Sequence, residues 1–137
     1  MIDIAKIRND FMVHVVDDEE SIREVLKEAL TAAGYQVETF PTAEDALTRL
    51  REAPPHLVFS DIRMPGMNGI QFLAQVKQLS RDIEFIIMTS HASIETAVEA
   101  IKLGAYDYIF KPFDNFSDVV VTADRTIERV YLKLENE

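Results

Sequence analysis

The sequence contains no cysteine, and its 14 basic residues are outnumbered by 24 acidic ones. Without cysteine, the chain forms no disulfide, carries no thiolate nucleophile and offers no thiolate ligands to zinc or an iron–sulfur cluster. The basic residues are scattered singly along a chain of net charge −10, so they form no stripe that would neutralise the phosphates of a duplex. We therefore expect no direct nucleic-acid partner for this chain.

Long hydrophobic runs are also missing. No apolar stretch approaches the ~20 residues that a membrane-spanning helix needs, and charges at Asp3, Lys6, Arg8 and Asp10 interrupt any apolar region of a signal peptide. Apolar residues nevertheless make up 47% of the 137 residues and charged residues 28%, which is the ordinary balance of a globular domain. We expect one soluble, cytoplasmic domain that makes no contact with a membrane.

Glycine is scarce as well, and the four glycines fall between segments of regular structure. Gly34 and Gly104 follow helical patterns at positions that favour a left-handed C-cap, whereas Gly66 and Gly69 lie in the loop after Asp61. Short apolar runs alternate with helical patterns five times along the chain. The predicted strands cover residues 11–16, 35–40, 57–60, 84–89 and 106–110.

This alternation predicts the α/β class, with a parallel sheet covered on both faces by five helices. Three helix starts carry capping signals: Thr42, Asn68 together with Gln71, and Ser93. The last helix is predicted from about residue 117 to residue 134. Because a helix crosses a sheet in about 13 residues, we expect the last turns of this helix to project beyond the sheet.

The chain divides into three parts by the same pattern. We assign residues 1–10 to an N-terminal lead, residues 11–129 to one domain, and residues 130–137 to the end of the last helix, which is a candidate linker. The histidines show no metal-binding spacing. We interpret His14, inside the first strand, as a hydrogen-bonded structural residue, and His56 as an exposed loop residue.

Polar side chains follow four of the five predicted strands at the points where the strands end: Asp17, Asp18, Asp61, Thr89, Ser90 and Lys111. Because the carboxyl ends of parallel strands meet at one edge of a sheet, we expect these side chains to lie close together. Three crowded carboxylates repel one another unless a cation joins them, and hard oxygen ligands suit Mg²⁺. The sequence therefore predicts a magnesium site beside a phosphate site.

Several motifs occur in a fixed order along the chain: VVDDE (15–19), SDIRMPGMNG (60–69), MTS (88–90), Gly104 through Tyr108, and KPF (111–113). Each motif alone is common in unrelated proteins, whereas their combination is specific. In this combination the sequence resembles the receiver domain of two-component response regulators, similar to the nitrogen-regulation-type branch. The resemblance covers nearly everything from residue 11 to about residue 129. It implies a flavodoxin-like fold with five helices and the strand order 2-1-3-4-5.

The resemblance also implies the chemistry of the site. Asp61 matches the phosphoacceptor, which takes a phosphoryl group from a phosphohistidine of a sensor histidine kinase and becomes an aspartyl phosphate. The Mg²⁺ ligands would be Asp17, Asp18, Asp61 and the main-chain carbonyl of Arg63. The domain would be a regulatory phosphoacceptor that assists its own phosphoryl transfer and hydrolysis, rather than an enzyme.

Further residues carry roles by the same resemblance. Lys111 matches the ammonium that pairs with the phosphoryl oxygens, and Ser90 and Ile62 match phosphate-contacting positions. Thr89 matches the switch hydroxyl that moves to the phosphate, and Tyr108 the aromatic ring that then turns inward. The peptide between Lys111 and Pro112 is expected to be cis, because this bond is normally cis in the family.

Two positions flank the site and vary among receivers. Arg63 lies two residues after the acceptor, and His91 lies two residues after the switch threonine. Our hypothesis is that these bulky side chains restrict attacking water and lengthen the phosphoryl lifetime.

Two alternatives from other classes are less consistent with the sequence. A small Mg²⁺-dependent phosphohydrolase also uses an aspartyl nucleophile after a strand, but such enzymes typically carry an acid–base Asp two residues later, where this chain has Arg63. A flavin-binding relative needs a phosphate loop after the first strand, where Asp17 and Asp18 would repel an anion. The phosphoacceptor switch is therefore the favoured interpretation.

The partners follow from the same interpretation. In the family, the fourth helix, fifth strand and fifth helix form the surface that changes on phosphorylation, here residues 94–103, 106–108 and 119–129. We expect a homodimer through this surface and a sensor histidine kinase as phosphodonor. The sequence shows no DNA-binding helix pair, ATPase loop or kinase motif, so the chain is either a stand-alone receiver or part of a larger regulator or hybrid kinase. The projecting last helix favours fusion to an output domain.

Overall fold

The computed structural model describes residues 2–90, 94–111 and 116–136. Five strands alternate with five helices after a short N-terminal helix, α1 (Ile4–Ile7), and a 3-10 turn (Arg8–Asp10). The elements that follow are β1 (Met12–Val16), α2 (Glu20–Ala33), β2 (Gln36–Phe40), α3 (Ala43–Glu52), β3 (Leu57–Asp61), α4 (Gly69–Leu79), β4 (Glu84–Ser90), α5 (Ile94–Lys102), β5 (Asp107–Lys111) and α6 (Ser117–Glu135).

The five strands form one parallel sheet in the order β2-β1-β3-β4-β5. This result confirms the predicted fold class and strand order. The described residues contain six helices instead of five, because α1 forms within the N-terminal lead. None of the helices in the described residues is both long and apolar enough to span a membrane.

Buried residues form two clusters, one on each face of the sheet. One, the α3–α5 cluster, contains Leu47 of α3, Phe72 of α4 and Ala100 of α5. The other, the α2–α6 cluster, contains Leu26 of α2 and Ile127 of α6. Helices therefore cover both faces, and the carboxyl edge of the sheet is left for loops and polar groups.

The predicted capping signals hold where the structure describes them. The Thr42 hydroxyl accepts a hydrogen bond from the Asp45 amide (3.1 Å) at the start of α3. Asn68 and Gln71 form a reciprocal capping box at the start of α4. Gly34 follows α2 with a φ of 114°, the left-handed conformation that glycine adopts without a Cβ penalty. Ser93 lies outside the described residues.

The N-terminal lead is anchored by a polar cluster that the sequence did not predict. The Arg8 guanidinium donates to both carboxylate oxygens of Asp124 on α6, at 3.0 and 2.7 Å, and to the carbonyl of Ala33 at the end of α2 (3.1 Å). The Tyr35 hydroxyl donates to the same Asp124 carboxylate (2.5 Å). Since Ile4 and Ile7 pack against the α2–α6 cluster, the lead is part of this face of the domain.

Both histidine interpretations are wrong in detail. His14 is fully buried, as expected, but within the described residues neither of its ring nitrogens has a hydrogen-bond partner. Its Nε2 faces Glu38 Oε2 across the β1–β2 pair at 3.6 Å, which is too long for a hydrogen bond. His56 is half-buried rather than exposed, because its Nδ1 accepts from the Met12 amide (3.1 Å) and its ring packs edge-on against Phe11.

Burial decreases towards the C-terminal end of α6, and the projection of its last turns beyond the sheet stays a prediction. The stripe of α6 that includes Ala123 and Ile127 is fully buried, whereas Leu132 and Leu134 near the C-terminal end are 48% and 52% exposed. Burial therefore ends before the helix does.

Candidate functional site

The strand order positions three carboxylates at the carboxyl edge of the sheet. Asp17 and Asp18 follow β1, and Asp61 ends β3, which pairs directly with β1. One carboxylate oxygen from each of the three side chains lies within 4.8 Å of the others. Residues separated by more than 40 positions in the chain thus share one site because β1 and β3 are neighbours.

Asp17 is the most enclosed member of this acidic group, with no exposed surface. One carboxylate oxygen accepts from the Glu19 amide (2.9 Å), and the other contacts Lys111 Nζ (2.5 Å). The Asp17 carbonyl accepts from the Arg23 guanidinium (2.6 Å), a contact that the sequence reasoning missed. Arg23 lies one turn into α2, so the site and the helix that follows it are joined by a polar contact.

Lys111, at the end of β5, brings a positive charge to the acidic group. Its Nζ lies 2.5 Å from Asp17 Oδ2 and 3.5 Å from Asp61 Oδ2, and its side chain is 15% exposed. Burial acts to lower the pKa of Lys111, but the hydrogen bond and charge of Asp17, followed by the charge of Asp61, raise that pKa above its usual value. The ammonium is therefore fixed in its charged form between two carboxylates.

On balance, the surroundings of Asp61 raise the pKa of its carboxyl above the usual value. Burial of its carboxyl, which is 13% exposed, raises the pKa of Asp61, and the Asp17 charge raises it further. Lys111 and hydrogen bonds from the main-chain amides of Ile62 and Arg63 oppose this rise. The same amides and the Lys111 ammonium are hydrogen-bond donors beside the carboxylate. They lie where the oxygens of a group attached to Asp61 would need donors.

Thr89 and Tyr108 lie on the neighbouring strands. Thr89 is buried near the end of β4, one residue beyond Met88, which pairs with Asp61. Tyr108 on β5 is half-buried, packs against the α3–α5 cluster, and has its ring 5.1 Å from that of Phe110. The structure therefore places the predicted switch pair on adjacent strands that both lead to the site.

Part of the predicted site lies outside the described residues. The main chain of Ser90 pairs with Lys111 across β4 and β5, but the side chain of Ser90 is outside the description. His91 and Pro112 are outside it as well. The predicted phosphate contact of the Ser90 hydroxyl, the role of His91 and the cis peptide bond before Pro112 stay predictions.

The loop after Asp61 is closed tightly at its base. The Gly69 amide donates to the Ile62 carbonyl (2.7 Å), and a Cβ at Gly69 would lie only 2.3 Å from the Asp61 carbonyl oxygen. Gly66, at the tip of the loop, has a φ of 76°. Arg63 is exposed between these fixed points, with Ile62 and Met64 buried on either side of it. Close approach at Gly69 thus sets the path of the loop that carries Arg63.

The acidic group has the composition of a site for a small divalent cation. Three carboxylates converge, and within the described residues Lys111 is the cation that pairs with Asp17 and Asp61. One ammonium neutralises only part of this charge, and hard carboxylate and carbonyl oxygens are the ligands that Mg²⁺ prefers. The residues present therefore fit Mg²⁺.

Comparison with known proteins identifies the family. Residues 13–122 match the family model described as the response regulator receiver domain. The chain belongs to this family. Receiver domains of this kind are regulatory parts of two-component systems, so the predicted resemblance is confirmed.

The similar curated proteins come from the nitrogen-regulation-type branch, as predicted. The DNA-binding transcriptional regulator NtrC of Klebsiella pneumoniae is 45% identical over 113 residues, which are 82% of this chain and 24% of that protein. The C4-dicarboxylate transport transcriptional regulatory protein DctD of Rhizobium meliloti is 39% identical over 124 residues, 90% of this chain and 27% of that protein. This receiver thus spans about a quarter of the length of these relatives.

A solved structure shows the same fold. The receiver domain of NtrX from Brucella abortus aligns with a TM-score of 0.81 at 36% identity, covering 85% of this chain and 98% of that one.

Proposed function

We propose that this receiver accepts a phosphoryl group on Asp61 from the phosphohistidine of a sensor histidine kinase. A carboxylate oxygen of Asp61 attacks the phosphorus, the phosphorus–nitrogen bond breaks, and the imidazole leaves. The observation that carries the proposal is the position of Lys111, whose ammonium lies between the carboxylates of Asp17 and Asp61. From there it can pair with the oxygens of a phosphoryl group on Asp61.

The transfer is assisted by charge neutralisation rather than by a further nucleophile. Asp17, Asp18, Asp61 and the Arg63 carbonyl would hold Mg²⁺, which supplies positive charge for the transferring phosphoryl oxygens. The same phosphoryl oxygens would also accept from the Lys111 ammonium, the Ile62 amide and the hydroxyls of Thr89 and Ser90.

Phosphorylation would change the surface through Thr89 and Tyr108. The Thr89 hydroxyl moves towards the phosphoryl group, and the Tyr108 ring turns into the space that it leaves. The affected surface comprises α5, β5 and α6, and it carries exposed apolar side chains: Ile94, Val98, Ile101 and Val121. A second copy of this receiver is the partner that we propose for this surface.

The lifetime of the phosphorylated state would depend on the side chains at the rim. Arg63 is exposed beside Asp61, and His91 follows β4 in the sequence. Their bulk restricts the approach of water to the aspartyl phosphate. Exchange of each residue for serine is expected to speed dephosphorylation, measured as loss of the phosphorylated mass with time; unchanged rates would refute this role.

The receiver would work as one part of a larger cytoplasmic regulator. It spans 24% of NtrC, which is named as a DNA-binding transcriptional regulator, and 27% of DctD. By analogy, an output domain beyond this chain would respond to the state of the receiver, and the projecting end of α6 is the segment that would lead to it.

Intact-mass analysis after incubation with acetyl phosphate and Mg²⁺ tests the phosphoacceptor. Wild type should gain one phosphoryl group, Asp61→Asn should gain none, and the control Asp45→Asn, an exposed acid on α3, should behave as wild type. Omitting Mg²⁺ should suppress the gain. The proposal fails if Asp61→Asn is still phosphorylated. Rapid turnover of added phosphate esters, without an accumulating phosphoprotein, would instead indicate the hydrolase alternative.

The dimer is tested separately by size-exclusion chromatography with light scattering. Beryllofluoride with Mg²⁺, a stand-in for the phosphoryl group, should convert wild type to a dimer, whereas Val98→Asp on α5 should stay monomeric. A monomeric wild type under these conditions would refute the dimer but not the phosphoacceptor.

A further inference from the structure

The tip of the loop after Asp61 is held by a residue from a different part of the chain. Glu44 lies in the first turn of α3, and its Oε2 accepts a hydrogen bond from the Met67 amide (3.1 Å). We infer that Glu44 is a positioning residue, which fixes this loop so that the Arg63 carbonyl is presented to Mg²⁺. The inference rests on the proposed function.

The local sequence explains why the loop needs this contact. Residues 64–67 read Met-Pro-Gly-Met, and Gly66 has the φ of 76° that the third residue of a type II turn requires. In a closed turn of this type the amide of the fourth residue donates to the carbonyl of the first, but among the described residues no such bond joins Met67 to Met64. Here that amide, from Met67, donates to the Glu44 carboxylate, a charge-assisted hydrogen bond between two elements.

Gly66 leaves room for the carboxylate. A Cβ at Gly66 would lie 2.5 Å from Glu44 Oε2, so any other residue would push the carboxylate away as well as adopt an unfavourable φ. The turn and the carboxylate are therefore matched in shape.

The backbone of Glu44 is fixed at the start of α3, while its side chain is exposed. Thr42 caps α3 through the Asp45 amide (3.1 Å), and Ala43 beside Glu44 is fully buried. The base of the loop is fixed independently by the Gly69–Ile62 hydrogen bond (2.7 Å). Glu44 thus adds a polar contact to the apolar contacts of Met64 and Met67, which pack with the core on the same face of the sheet.

The contact acts on the site through Arg63. Arg63 lies between the base, closed by the Gly69–Ile62 hydrogen bond, and the tip that Glu44 holds, so a shift of the tip would reach the Arg63 carbonyl through Met64. If the tip loosens, the ligand to Mg²⁺ is presented for only part of the time, and the apparent metal affinity falls by that fraction. The reaction at saturating Mg²⁺ uses the same groups as before and should be nearly unchanged.

Three substitutions separate the reach of the side chain from its charge. Glu44→Gln keeps an oxygen that can accept from the Met67 amide but removes the charge. Glu44→Asp keeps the charge but is one methylene too short to reach, and Glu44→Ala removes both. Glu52→Ala, an exposed glutamate at the other end of the same helix, is the control.

The experiment measures the initial rate of phosphorylation by acetyl phosphate against Mg²⁺ concentration. We expect Glu44→Ala and Glu44→Asp to raise the Mg²⁺ concentration at half-maximal rate three- to tenfold, with maximal rates within twofold of wild type. Glu44→Gln and Glu52→Ala should stay within twofold of wild type in both quantities. Isothermal titration of each variant with MgCl₂ alone should give the same order of affinities.

Two outcomes would overturn the inference. If Glu44→Ala stays within twofold of wild type, the contact does not position the loop. If Glu44→Asp resembles wild type while Glu44→Gln resembles Glu44→Ala, long-range attraction of the cation by charge explains the effect instead. A third outcome separates the two proposals. If wild type takes no phosphoryl group but the Mg²⁺ affinities of wild type and the variants follow the expected order, the proposed function is refuted and the positioning role stands.

Discussion

His14 is a buried titratable group without a hydrogen-bond partner among the described residues, so its protonation should affect stability. Burial lowers the pKa of His14 to about 4, while Glu38 opposes this shift and Arg49 adds to it. In the unfolded chain the usual value of about 6.5 returns. The unfolded state therefore binds a proton between about pH 6.5 and pH 4 that the folded state does not bind. Acid should unfold the protein partly through this residue.

The predicted result is a loss of unfolding free energy on acidification. Between pH 7 and pH 4, the His14 contribution should fall by on the order of 3 kcal/mol and then level off. Urea unfolding followed by circular dichroism at several pH values measures it in wild type and in His14→Leu. The variant should lose less stability over this range. Parallel curves for the two proteins would contradict the prediction, whatever their absolute stabilities.

The limits of sequence-based prediction are clearest for single residues. Asp17, Asp18, Asp61 and Lys111 could be placed together because each follows a strand, and strand ends share an edge. Contacts such as Glu44 with Met67 depend on where one helix start meets a distant loop. No local pattern encodes such a meeting. The same holds for His14, whose missing hydrogen bond depends on how far Glu38 lies across the strand pair.

The N-terminal lead stabilises the domain through the side chain of Arg8. Arg8 joins α6 and the end of α2 through Asp124 and the Ala33 carbonyl. Its removal would leave Asp124 bonded only by Tyr35 among the described contacts. Arg8→Ala should therefore destabilise the protein by about 1–3 kcal/mol.

Urea unfolding measures this effect against a matched control. Lys6→Ala, in the same lead, removes an exposed pair with Asp3 at 3.9 Å and should cost less than about 0.5 kcal/mol. Arg8→Lys should be intermediate, because an ammonium cannot make the two-pronged contact with Asp124. Equal stability of Arg8→Ala and Lys6→Ala would show that the lead is held by its apolar contacts alone.

The start of α4 depends on a close approach that a helix-forming residue cannot tolerate. Alanine normally favours a helix over glycine by about 1 kcal/mol. At Gly69, however, an added Cβ would lie 2.3 Å from the Asp61 carbonyl and 2.8 Å from the Ile62 Cα. Gly69→Ala should thus cost on the order of 3 kcal/mol, because the backbone beside the acceptor must shift.

Gly104→Ala provides the comparison for this prediction. Gly104 has a φ of 114°, but a Cβ there would meet only the Lys77 side chain at ordinary contact distances of 3.5 Å or more. The substitution should cost about 1–2 kcal/mol through backbone strain. Urea unfolding should therefore rank Gly104→Ala above Gly69→Ala in stability. The reverse order would mean that left-handed backbone, rather than close packing against Asp61, is the stricter requirement.

Over the whole molecule, the acidic excess is not spread evenly. The net charge is −10, and three of the carboxylates are drawn within 4.8 Å of one another at a single edge of the sheet. A fold that places like charges together loses stability there unless a cation is bound. The charge of this protein should therefore affect its stability mainly through that edge, and in a way that depends on Mg²⁺.

Asp18→Asn tests this, because its effect on the melting temperature should differ between buffer without divalent cations and buffer with Mg²⁺. Without divalent cations the variant should melt higher than wild type, because one of three repelling charges is gone. Added Mg²⁺ should raise the melting temperature of wild type, by the equivalent of about 2.7 kcal/mol at a hundred times the dissociation constant, but should hardly affect the variant. Glu28→Gln changes the net charge equally from an exposed site on α2 and should leave the Mg²⁺ response intact. A Mg²⁺ response that survives in Asp18→Asn would place the cation elsewhere.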